Sequence, residues 1–334
     1  MVLQFMSSSI FKVVKNLMKI ITRIEAITQP FKNAVLTIGN FDGVHIGHQA
    51  LFHTSIEKAE AINGTSVAMT FEPHPMRVLK HRNHPPLITL NEQKMELISK
   101  TGLDVLICLP FTKKFAEISA QDFVKDLLVE KIGMKAVIVG KDYTFGRNRE
   151  GNIDLLKQFG EEMDFEVIIP DWIQGVGIKE NRISSTIIRK LVVDGNVRQA
   201  KKMLGRHYQI RGTVATGRNR GGKLLGFPTA NINIQDELCP KTGIYAVTAE
   251  YENKIYPAVA NIGYSPTFGD HIFTIEVHII DFNKDICNKK LRVNFIERLR
   301  DEIRFPSIEA LSDQIKKDIE VARSILAKQF PAHT

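Results

Sequence analysis

Between residues 33 and 190, short apolar segments alternate with longer segments of helical periodicity. The apolar segments have the length and the β-branched content of buried strands, and they are Ala34–Ile38, Ser66–Thr70, Val105–Leu109, Ala136–Val139 and Glu166–Ile169. Helical patterns lie between them, near residues 47–62, 91–101, 120–132 and 152–162. This order predicts an α/β domain whose parallel sheet is covered by helices on both faces. Such sheets bind ligands at the carboxyl ends of their strands.

The pattern changes after residue 205, where strand-like segments follow one another without long helices between them. These segments are Gln209–Val214, Gly243–Tyr251, Lys254–Ile262, Ile272–Ile280 and Leu291–Phe295. Turn residues separate them, which predicts a small antiparallel barrel or sandwich. An amphipathic helix is predicted over Ser307–Leu326, with Ser307 as its N-cap. Residues 185–205 are predicted to be a helical linker between the two parts.

The composition is that of an ordinary globular protein of two domains. Of the 334 residues, 43% are hydrophobic and 25% are charged, and no apolar run approaches the ~20 residues that a membrane span requires. The three cysteines form no close pair, which indicates a reducing compartment, and we expect the cytoplasm. The net charge of +8 is spread thinly, so we expect small anionic ligands and no nucleic acid as partners. Charged residues interrupt residues 1–28, so we expect residues 1–17 to be an extension and not a signal peptide.

The first predicted strand leads into a turn that carries two histidines. The segment 39–48 reads GNFDGVHIGH and opens a predicted helix. His45 and His48 are three positions apart and therefore share one face of the first helical turn. Because Gly39, Gly43 and Gly47 allow close backbone approach and a helix N-terminus attracts anions, we expect the imidazoles to grip and neutralise a polyphosphate. A zinc site is disfavoured, since the spacing and the glutamate of zinc hydrolases are missing. A purely structural role in the core is also disfavoured, because two histidines that flank a glycine beside a strand end are not typical of a core.

Polar segments follow three further predicted strands. FEPHP follows the second strand at 71–75, GKDYTFG the fourth at 140–146, and ISSTIIR the fifth at 183–189. The hydroxyls and the arginine of the last segment suit a triphosphate at a helix start. Taken alone, Ser-Ser-Thr is an ordinary helix cap.

Together, HIGH at 45–48 and ISSTIIR at 183–189 resemble the signature pair of the nucleotidylyltransferase superfamily. The resemblance implies transfer of a nucleotide monophosphate with release of pyrophosphate. The same tetrapeptide occurs in class I aminoacyl-tRNA synthetases, so this pair of motifs leaves both families open.

A second set of motifs lies in the predicted barrel. GRNRGGKL at 217–224 nearly matches a P-loop, but Leu224 stands where a hydroxyl would bind magnesium and no helix pattern follows. It is followed by LGFPTAN at 225–231, NIG at 261–263, EVH at 276–278 and RDE at 300–302. This set resembles the riboflavin kinase module.

With both motif sets in this order, the chain resembles the bacterial bifunctional riboflavin kinase and FMN adenylyltransferase family, or FAD synthetases, over about residues 18–328. The resemblance implies a Rossmann-like nucleotidylyltransferase domain over 18–190 and a riboflavin kinase domain over 191–334. The second domain would be a six-stranded antiparallel barrel with a C-terminal helix. It would phosphorylate riboflavin to FMN with ATP, and the first domain would adenylylate FMN to FAD. Mg²⁺ is the implied metal, and a weak homo-oligomer is left open.

The resemblance also implies individual roles. The adenylyltransferase would bind ATP through Gly39, Asn40, Phe41, Asp42, His45, Gly47, His48, Ser184, Ser185, Thr186 and Arg189. Its FMN pocket would include Phe71, Pro73, His74 and Asp142. The kinase would bind ATP through Gly217, Gly222, Lys223, Thr229 and Asn231, with Thr229 and Asn231 as the Mg²⁺ ligands. Glu276 would be the base that activates the ribityl hydroxyl and would bind the flavin together with Arg300.

Departures from the family pattern remove no named chemical group. Lys223 stands where the family commonly has arginine, Tyr143 replaces a common phenylalanine, and Ile286-Cys287-Asn288 replaces a more usual Leu-Tyr-Gly turn. A tRNA enzyme would need a lysine-rich signature loop and a basic anticodon domain, and the sequence carries neither. A flavin-binding regulator on a degenerate scaffold would have lost His48, Asn231 or Glu276, and all three are present.

Overall fold

The chain forms two compact units that are not continuous in sequence. A computed structural model describes residues 18–80, 84–171, 182–215, 226–234, 237–265 and 272–329. The first unit holds residues 18–40, 50–80 and 95–170, and the second holds 41–49, 84–94 and the described residues from 171 onward.

The first unit is built on a six-stranded parallel sheet, as the alternating pattern predicts. Its strands are β1 (Lys19–Ile21), β2 (Ala34–Ile38), β3 (Thr65–Glu72), β4 (Val105–Pro110), β5 (Met134–Ile138) and β6 (Glu166–Ile168). Their order across the sheet is β1-β4-β3-β2-β5-β6, and every neighbouring pair is parallel. The five predicted strands are all present, and β1 is an additional edge strand beside β4.

Helices join the strands of this sheet. They are α1 (Ile46–Ala61), α2 (Pro75–Lys80), α3 (Asn91–Ser99), α4 (Lys113–Ala116), α5 (Ala120–Asp122) and α6 (Ile153–Met163). A π-helical segment, Phe123–Ile132, continues α5 and ends at Gly133, whose φ is +84°. The backbone of Phe31 approaches Gly133 closely, so a Cβ at this position would lie 2.7 Å from the Phe31 carbonyl oxygen.

Both faces of the sheet are buried, because alternate residues of one strand enter different apolar clusters. On β2, Val35 packs in a cluster with Ala59 of α1, whereas Leu36 and Ile38 belong to a second cluster. That second cluster includes Leu128 of the π-helical segment. The near-continuous apolar sequence of β2 follows from this double burial.

The second unit contains a closed six-stranded barrel, which confirms the strand number that the family resemblance implied. Its strands are β7 (Tyr208–Val214), β8 (Ala230–Asn233), β9 (Gly243–Tyr251), β10 (Lys254–Ser265), β11 (Ile272–Ile279) and β12 (Lys290–Arg300). They close in the order β10-β11-β8-β7-β12-β9, with antiparallel pairing throughout. Tyr245 and Tyr208 lie against Phe295 in the barrel core.

Three helices flank the barrel sequence. The predicted linker forms α7 (Ser185–Val193) and α8 (Val197–Leu204), which are separated at Gly195 with φ +79°. The C-terminal helix is α9 (Ile308–Gln329), and the Ser307 hydroxyl accepts a hydrogen bond from the Ala310 amide at 3.2 Å. The predicted N-cap of α9 is thereby confirmed.

Candidate active sites

The turn between β2 and α1 has a conformation that ordinary residues seldom adopt. Phe41, Gly43 and Val44 have φ values of +48°, +86° and +41°. For residues with a side chain this region costs about 1–3 kcal/mol and persists only where the surroundings impose it. The Phe41 and Val44 side chains are both only 1% exposed, so their burial holds the turn in place.

Asp42 connects this turn to two remote segments of the second unit. Its buried carboxylate accepts hydrogen bonds from the amides of Ile88 at 3.0 Å and Thr89 at 3.1 Å. Arg189 Nη2 on α7 lies 2.6 Å from Asp42 Oδ2. The Gly43 amide donates to the Thr89 hydroxyl at 3.0 Å. Asp42 and Arg189, both predicted to bind ATP, therefore pair with each other in this structure.

The three hydroxyl residues at the start of α7 have different surroundings. Ser184 accepts a hydrogen bond from the Ile187 amide at 3.4 Å and is the N-cap of the helix, which is the ordinary alternative that its sequence allowed. Ser185 donates to the Asp42 carbonyl oxygen at 2.8 Å. Thr186 is exposed. The structure therefore brings the serine motif and the histidine turn together, as their placement at strand ends led us to expect.

The two histidine rings stack on each other. Their centroids are 3.6 Å apart with planes inclined by 19°, and Phe41 meets His48 edge-on at 5.3 Å. His45 Nδ1 accepts a hydrogen bond from the His48 amide at 3.3 Å, so the neutral ring of His45 carries its proton on Nε2. His48 Nδ1 is buried without a hydrogen-bond partner. A Cβ at Gly47 would lie 3.2 Å from the His45 ring, which explains the glycine between the histidines.

Burial keeps both imidazoles uncharged at neutral pH. It lowers the pKa of His45 to about 4, and the nearby Arg206 cation contributes to the shift. Burial also lowers the pKa of His48, and His45 and Arg206 add to that effect. That the imidazoles neutralise the charge of a polyphosphate stays a prediction. They are suited to hydrogen bonding through their N–H groups.

The other residues predicted near the first site lie in the first unit. The Gly39 amide donates to the Met69 carbonyl oxygen at 3.1 Å, and the Asn40 carbonyl oxygen accepts from the Thr70 hydroxyl at 3.2 Å. Of the predicted FMN-pocket residues, Phe71 and His74 are buried, whereas Pro73 and Asp142 are exposed.

Phe71 belongs to a chain of aromatic rings that sequence reasoning missed. Phe71 packs against Phe111 and Phe115, with ring centroids 5.7 and 5.4 Å apart. Contacts at 5.6–6.2 Å continue the chain through Phe123, Phe145 and Tyr143. Phe111 comes directly after β4, and Tyr143 lies five residues after the end of β5, so aromatic residues in the loops that follow strands were the available signal.

In the barrel, register places three polar side chains in one row. Glu276 on β11 is opposite Asn231 of β8 on one side and opposite Asn261 of β10 on the other. The flanking residues Ile275 and Val277 are buried in the core. Because side chains alternate along a strand, the row faces outward from the barrel.

The surroundings of Glu276 favour uptake of a proton. Burial raises the pKa of its carboxyl, and the Glu302 carboxylate contributes to the rise. Gly263 is two positions beyond Asn261 on β10, and a Cβ there would overlap Glu302. Asn261 Oδ1 is buried without a hydrogen-bond partner. The row therefore combines a carboxylate of raised basicity with an amide oxygen that can still accept a hydrogen bond.

Thr229 is half-buried just before β8, in a segment that contacts β11. The Pro228 carbonyl oxygen lies 2.8 Å from His278 Nδ1, and the Phe227 ring meets the His278 ring edge-on. Thr229 and Asn231 thus flank the start of the strand that pairs with Glu276. Gly217, Gly222 and Lys223 lie outside the described residues.

Arg300, which was predicted to bind flavin, is held by the C-terminal helix. Its Nε and Nη2 atoms donate to the buried Asp318 carboxylate at 3.0 and 2.6 Å. The guanidinium also lies 5.9 Å from the Phe305 ring centroid. These contacts fasten the end of β12 to α9, and flavin binding by Arg300 stays a prediction.

Two transferase families have sequence models that match this chain, one over the parallel sheet with the histidine turn and the other over the barrel. The sequence model of the FAD synthetase family matches residues 27–187, and that of the riboflavin kinase family matches residues 204–326.

Curated relatives and a solved structure match nearly the whole chain. The bifunctional riboflavin kinase/FMN adenylyltransferase of Buchnera aphidicola subsp. Schizaphis graminum is 36% identical and covers 92% of this chain and 98% of its own length. The Escherichia coli (strain K12) protein of the same name is 36% identical and covers 94% and 100%. A crystal structure from Streptococcus pneumoniae, described as a macrolide-efflux protein, has a TM-score of 0.81, 34% identity, and coverage of 92% and 99%.

The chain therefore belongs to the bifunctional riboflavin kinase/FMN adenylyltransferase family. It converts riboflavin to FMN and FMN to FAD.

Proposed function

We propose that riboflavin is phosphorylated at the row formed by Asn231, Glu276 and Asn261, and that FMN is adenylylated at the histidine turn. The observation that carries the kinase assignment is the register of three neighbouring strands, which aligns the three polar side chains. The adenylyltransferase assignment is supported by the stacked pair His45 and His48.

In the kinase reaction, Glu276 accepts the proton of the terminal ribityl hydroxyl. The hydroxyl oxygen forms a bond to the γ-phosphorus of ATP, and the bond from that phosphorus to the β,γ-bridging oxygen breaks to release ADP. A partly desolvated carboxylate with a raised pKa suits this role, because a general base works best when its pKa approaches the working pH. Typical contributions of such a base are about 10²–10⁴-fold.

Magnesium fits the donor set at the start of β8. Thr229 and Asn231 offer a hydroxyl and an amide oxygen, and magnesium commonly takes few protein oxygens beside phosphates and water. Within the described residues, no group of three or more His, Cys, Asp and Glu side chains is arranged for a metal. When bound, the ion would offset phosphate charge during transfer.

In the adenylyl transfer, an oxygen of the FMN phosphate attacks the α-phosphorus of ATP and pyrophosphate leaves. The nucleophile is already anionic, so this reaction needs no base but needs hydrogen-bond donors and positive charge. His45 and His48 supply N–H donors. Phe71 and the aromatic rings in contact with it suit the planar isoalloxazine ring of FMN.

Location and partners are further parts of the proposal. All three cysteines are free, which agrees with a reducing cytoplasm. None of the helices in the described ranges is long and apolar enough to cross a membrane. We expect small-molecule substrates as partners, without nucleic acid, and a weak homo-oligomer is left open.

Two reciprocal substitutions test the assignment of the sites. Glu276→Gln should lower kinase turnover by about 10²–10⁴-fold, because the amide cannot accept the proton, and should leave adenylylation of supplied FMN unchanged. His48→Ala should lower FAD formation by about 10²-fold or more and leave FMN formation unchanged. Each reaction is followed separately by chromatography of the flavins.

Matched controls keep the comparison specific. Glu297→Gln makes the same charge change on β12, where Glu297 pairs with Arg198 at the surface. His53→Ala removes an exposed imidazole from α1. Both controls should retain both activities. Parental kinase turnover in Glu276→Gln, with chemistry rate-limiting, would exclude Glu276 as the base.

A further inference from the structure

The turn that joins α8 to β7 packs against the histidine turn. Gly205, with φ +72°, lies so close to the first residue of α1 that a Cβ would come within 2.9 Å of Ile46 Cγ2. Leu204 and Arg206 flank this glycine. The riboflavin kinase sequence model begins at residue 204, so sequence matching groups these residues with the other activity.

Two side chains donate to the same pair of carbonyl oxygens at this contact. Gln49 Nε2 lies 2.8 Å from the Val44 oxygen and 3.2 Å from the Leu204 oxygen. Arg206 Nη1 lies 3.5 and 3.4 Å from the same two atoms. Because the contacts of Gln49 are the shorter ones, Arg206 adds little hydrogen bonding that Gln49 does not provide. What Arg206 adds is charge.

Arg206 is a buried cation that forms no salt bridge in the described part of the chain, although the charge of Asp42 acts on it. Its Nε atom is buried without a hydrogen-bond partner. Burial and the neighbouring Arg211 lower its pKa to about 10, so it stays protonated at neutral pH. Arg189, in contrast, forms a salt bridge with the buried Asp42.

The field of Arg206 acts on both histidines, since it contributes to lowering the pKa of each. The imidazoles are neutral, and the charge of Arg189 is offset by Asp42. A polyphosphate at the histidine turn therefore needs positive charge from another side chain.

We propose that Arg206, which lies against the histidine turn, is a positioning residue of the adenylyl-transfer site and that its guanidinium supplies positive charge to the polyphosphate of ATP. The proposal rests on the assignment of adenylyl transfer to His45 and His48. It predicts that the kinase segment of the chain contributes a group to the other reaction, through charge acting on the polyphosphate of ATP and on pyrophosphate.

The test compares Arg206→Gln, Arg206→Met and Arg206→Lys in the full-length chain. Both neutral variants should raise the KM for ATP in FAD formation and the inhibition constant of pyrophosphate by about tenfold or more. Arg206→Lys keeps the charge and should remain within about threefold of the parent. Kinase turnover in the same preparations reports whether each variant is folded, and it should not change.

Gln49→Leu is the matched control for hydrogen bonding, because it removes donors to the same two carbonyls without changing charge. It should leave pyrophosphate inhibition within about threefold of the parent. Parental inhibition constants in either folded neutral variant would overturn the proposal. The proposal would also be overturned if the pyrophosphate inhibition constant rose equally in Arg206→Lys, Arg206→Gln and Gln49→Leu. Such a result would mean that Arg206 has a structural role.

His48→Ala, assayed alongside, distinguishes the role of Arg206 from the assignment of the site. If it impairs FAD formation while the neutral Arg206 variants do not, only the role of Arg206 is wrong. If His48→Ala leaves FAD formation unchanged, the site itself is misassigned.

Discussion

The protonation state of individual side chains decides what each site can do. His45 and His48 are both neutral because they are buried beside a cation, which leaves them as hydrogen-bond donors. Glu276 is shifted in the direction that suits a base, because it is partly buried and faces a second carboxylate. In each case the motif identifies the residue, and the surrounding structure sets its charge.

Glu237 provides a residue-scale prediction about stability and pH. Burial raises the pKa of its carboxyl to about 7, and its Oε2 atom has no hydrogen-bond partner. Between its ordinary value of 4.5 and about 7, the folded protein holds a proton that the unfolded chain releases, so stability falls as pH rises through this window. Glu237→Gln cannot ionise and should therefore be more stable than the parent at pH 8, by about 1–3 kcal/mol.

Urea unfolding at pH 4.5 and pH 8 measures this difference. The difference in the free energy of unfolding between Glu237→Gln and the parent should be small at pH 4.5 and larger at pH 8. Glu162→Gln, an exposed position on α6, is the control and should show no such dependence. A gap of the same size at both pH values would contradict the prediction.

Residue types at the sites were predictable from sequence, but their pairings were not. The spacing of His45 and His48 is enough to indicate that the two imidazoles share one face of a helical turn. The pairing of Asp42 with Arg189, and the approach of Arg206, join positions 147 and 162 residues apart. Such contacts depend on the tertiary fold, and no local pattern encodes them.

At the scale of elements, hydrophobic patterning finds the strands of the parallel sheet that lie between helical segments, but it misses one strand in each unit. All five predicted sheet strands are present, whereas the additional strand β1 has three residues, begins with Lys19 and precedes the alternating pattern. In the barrel, β8 has four residues, Ala230–Asn233, and two of them are asparagines. The hydrophobic pattern alone predicts five strands in the barrel, and only the resemblance to riboflavin kinases implied a sixth.

The salt bridge between Arg300 of β12 and Asp318 of α9 leads to a prediction about stability. Asp318 is 6% exposed and holds Arg300 at the end of β12. Asp318→Ala leaves the guanidinium without its partner and should lower the free energy of unfolding by about 2–4 kcal/mol. Chemical denaturation measures this loss.

Asp313→Ala is the control on the same helix. Asp313 pairs with Lys316 at the surface, where both side chains are more than half exposed, and its loss should cost less than about 0.5 kcal/mol. An Asp318→Ala variant as stable as the control would show that Arg300 finds another partner.

For the whole molecule, the core of the second unit bears on where the kinase domain begins. The proposed boundary falls after residue 190. Ile183 and Ile188, which precede it, pack in the same apolar cluster as Tyr208 and Phe295 of the barrel. A fragment that starts at residue 191 would lose this packing.

We therefore predict that fragment 182–334 is more stable than fragment 191–334, by about 2 kcal/mol or more, since each buried isoleucine contributes roughly 1.5–3 kcal/mol. Both fragments should convert riboflavin to FMN and neither should make FAD. Thermal melts and flavin chromatography give the two readouts. If fragment 191–334 melted at the same temperature as fragment 182–334, the result would favour the boundary at 190/191.

The long-range contacts of the histidine turn also fix an order of events during synthesis. A ribosome adds about 5–20 residues per second, so Arg206 is made roughly 8–32 s after Val44. During that interval the nascent chain already contains both histidines, but not the serine, the two arginines or the glycine that surround their turn. All strands of the parallel sheet can be synthesised before the residues that contact this turn from α7 and from the α8–β7 connection. Translation of the first residues of the barrel module is thus what completes the proposed adenylyl-transfer site.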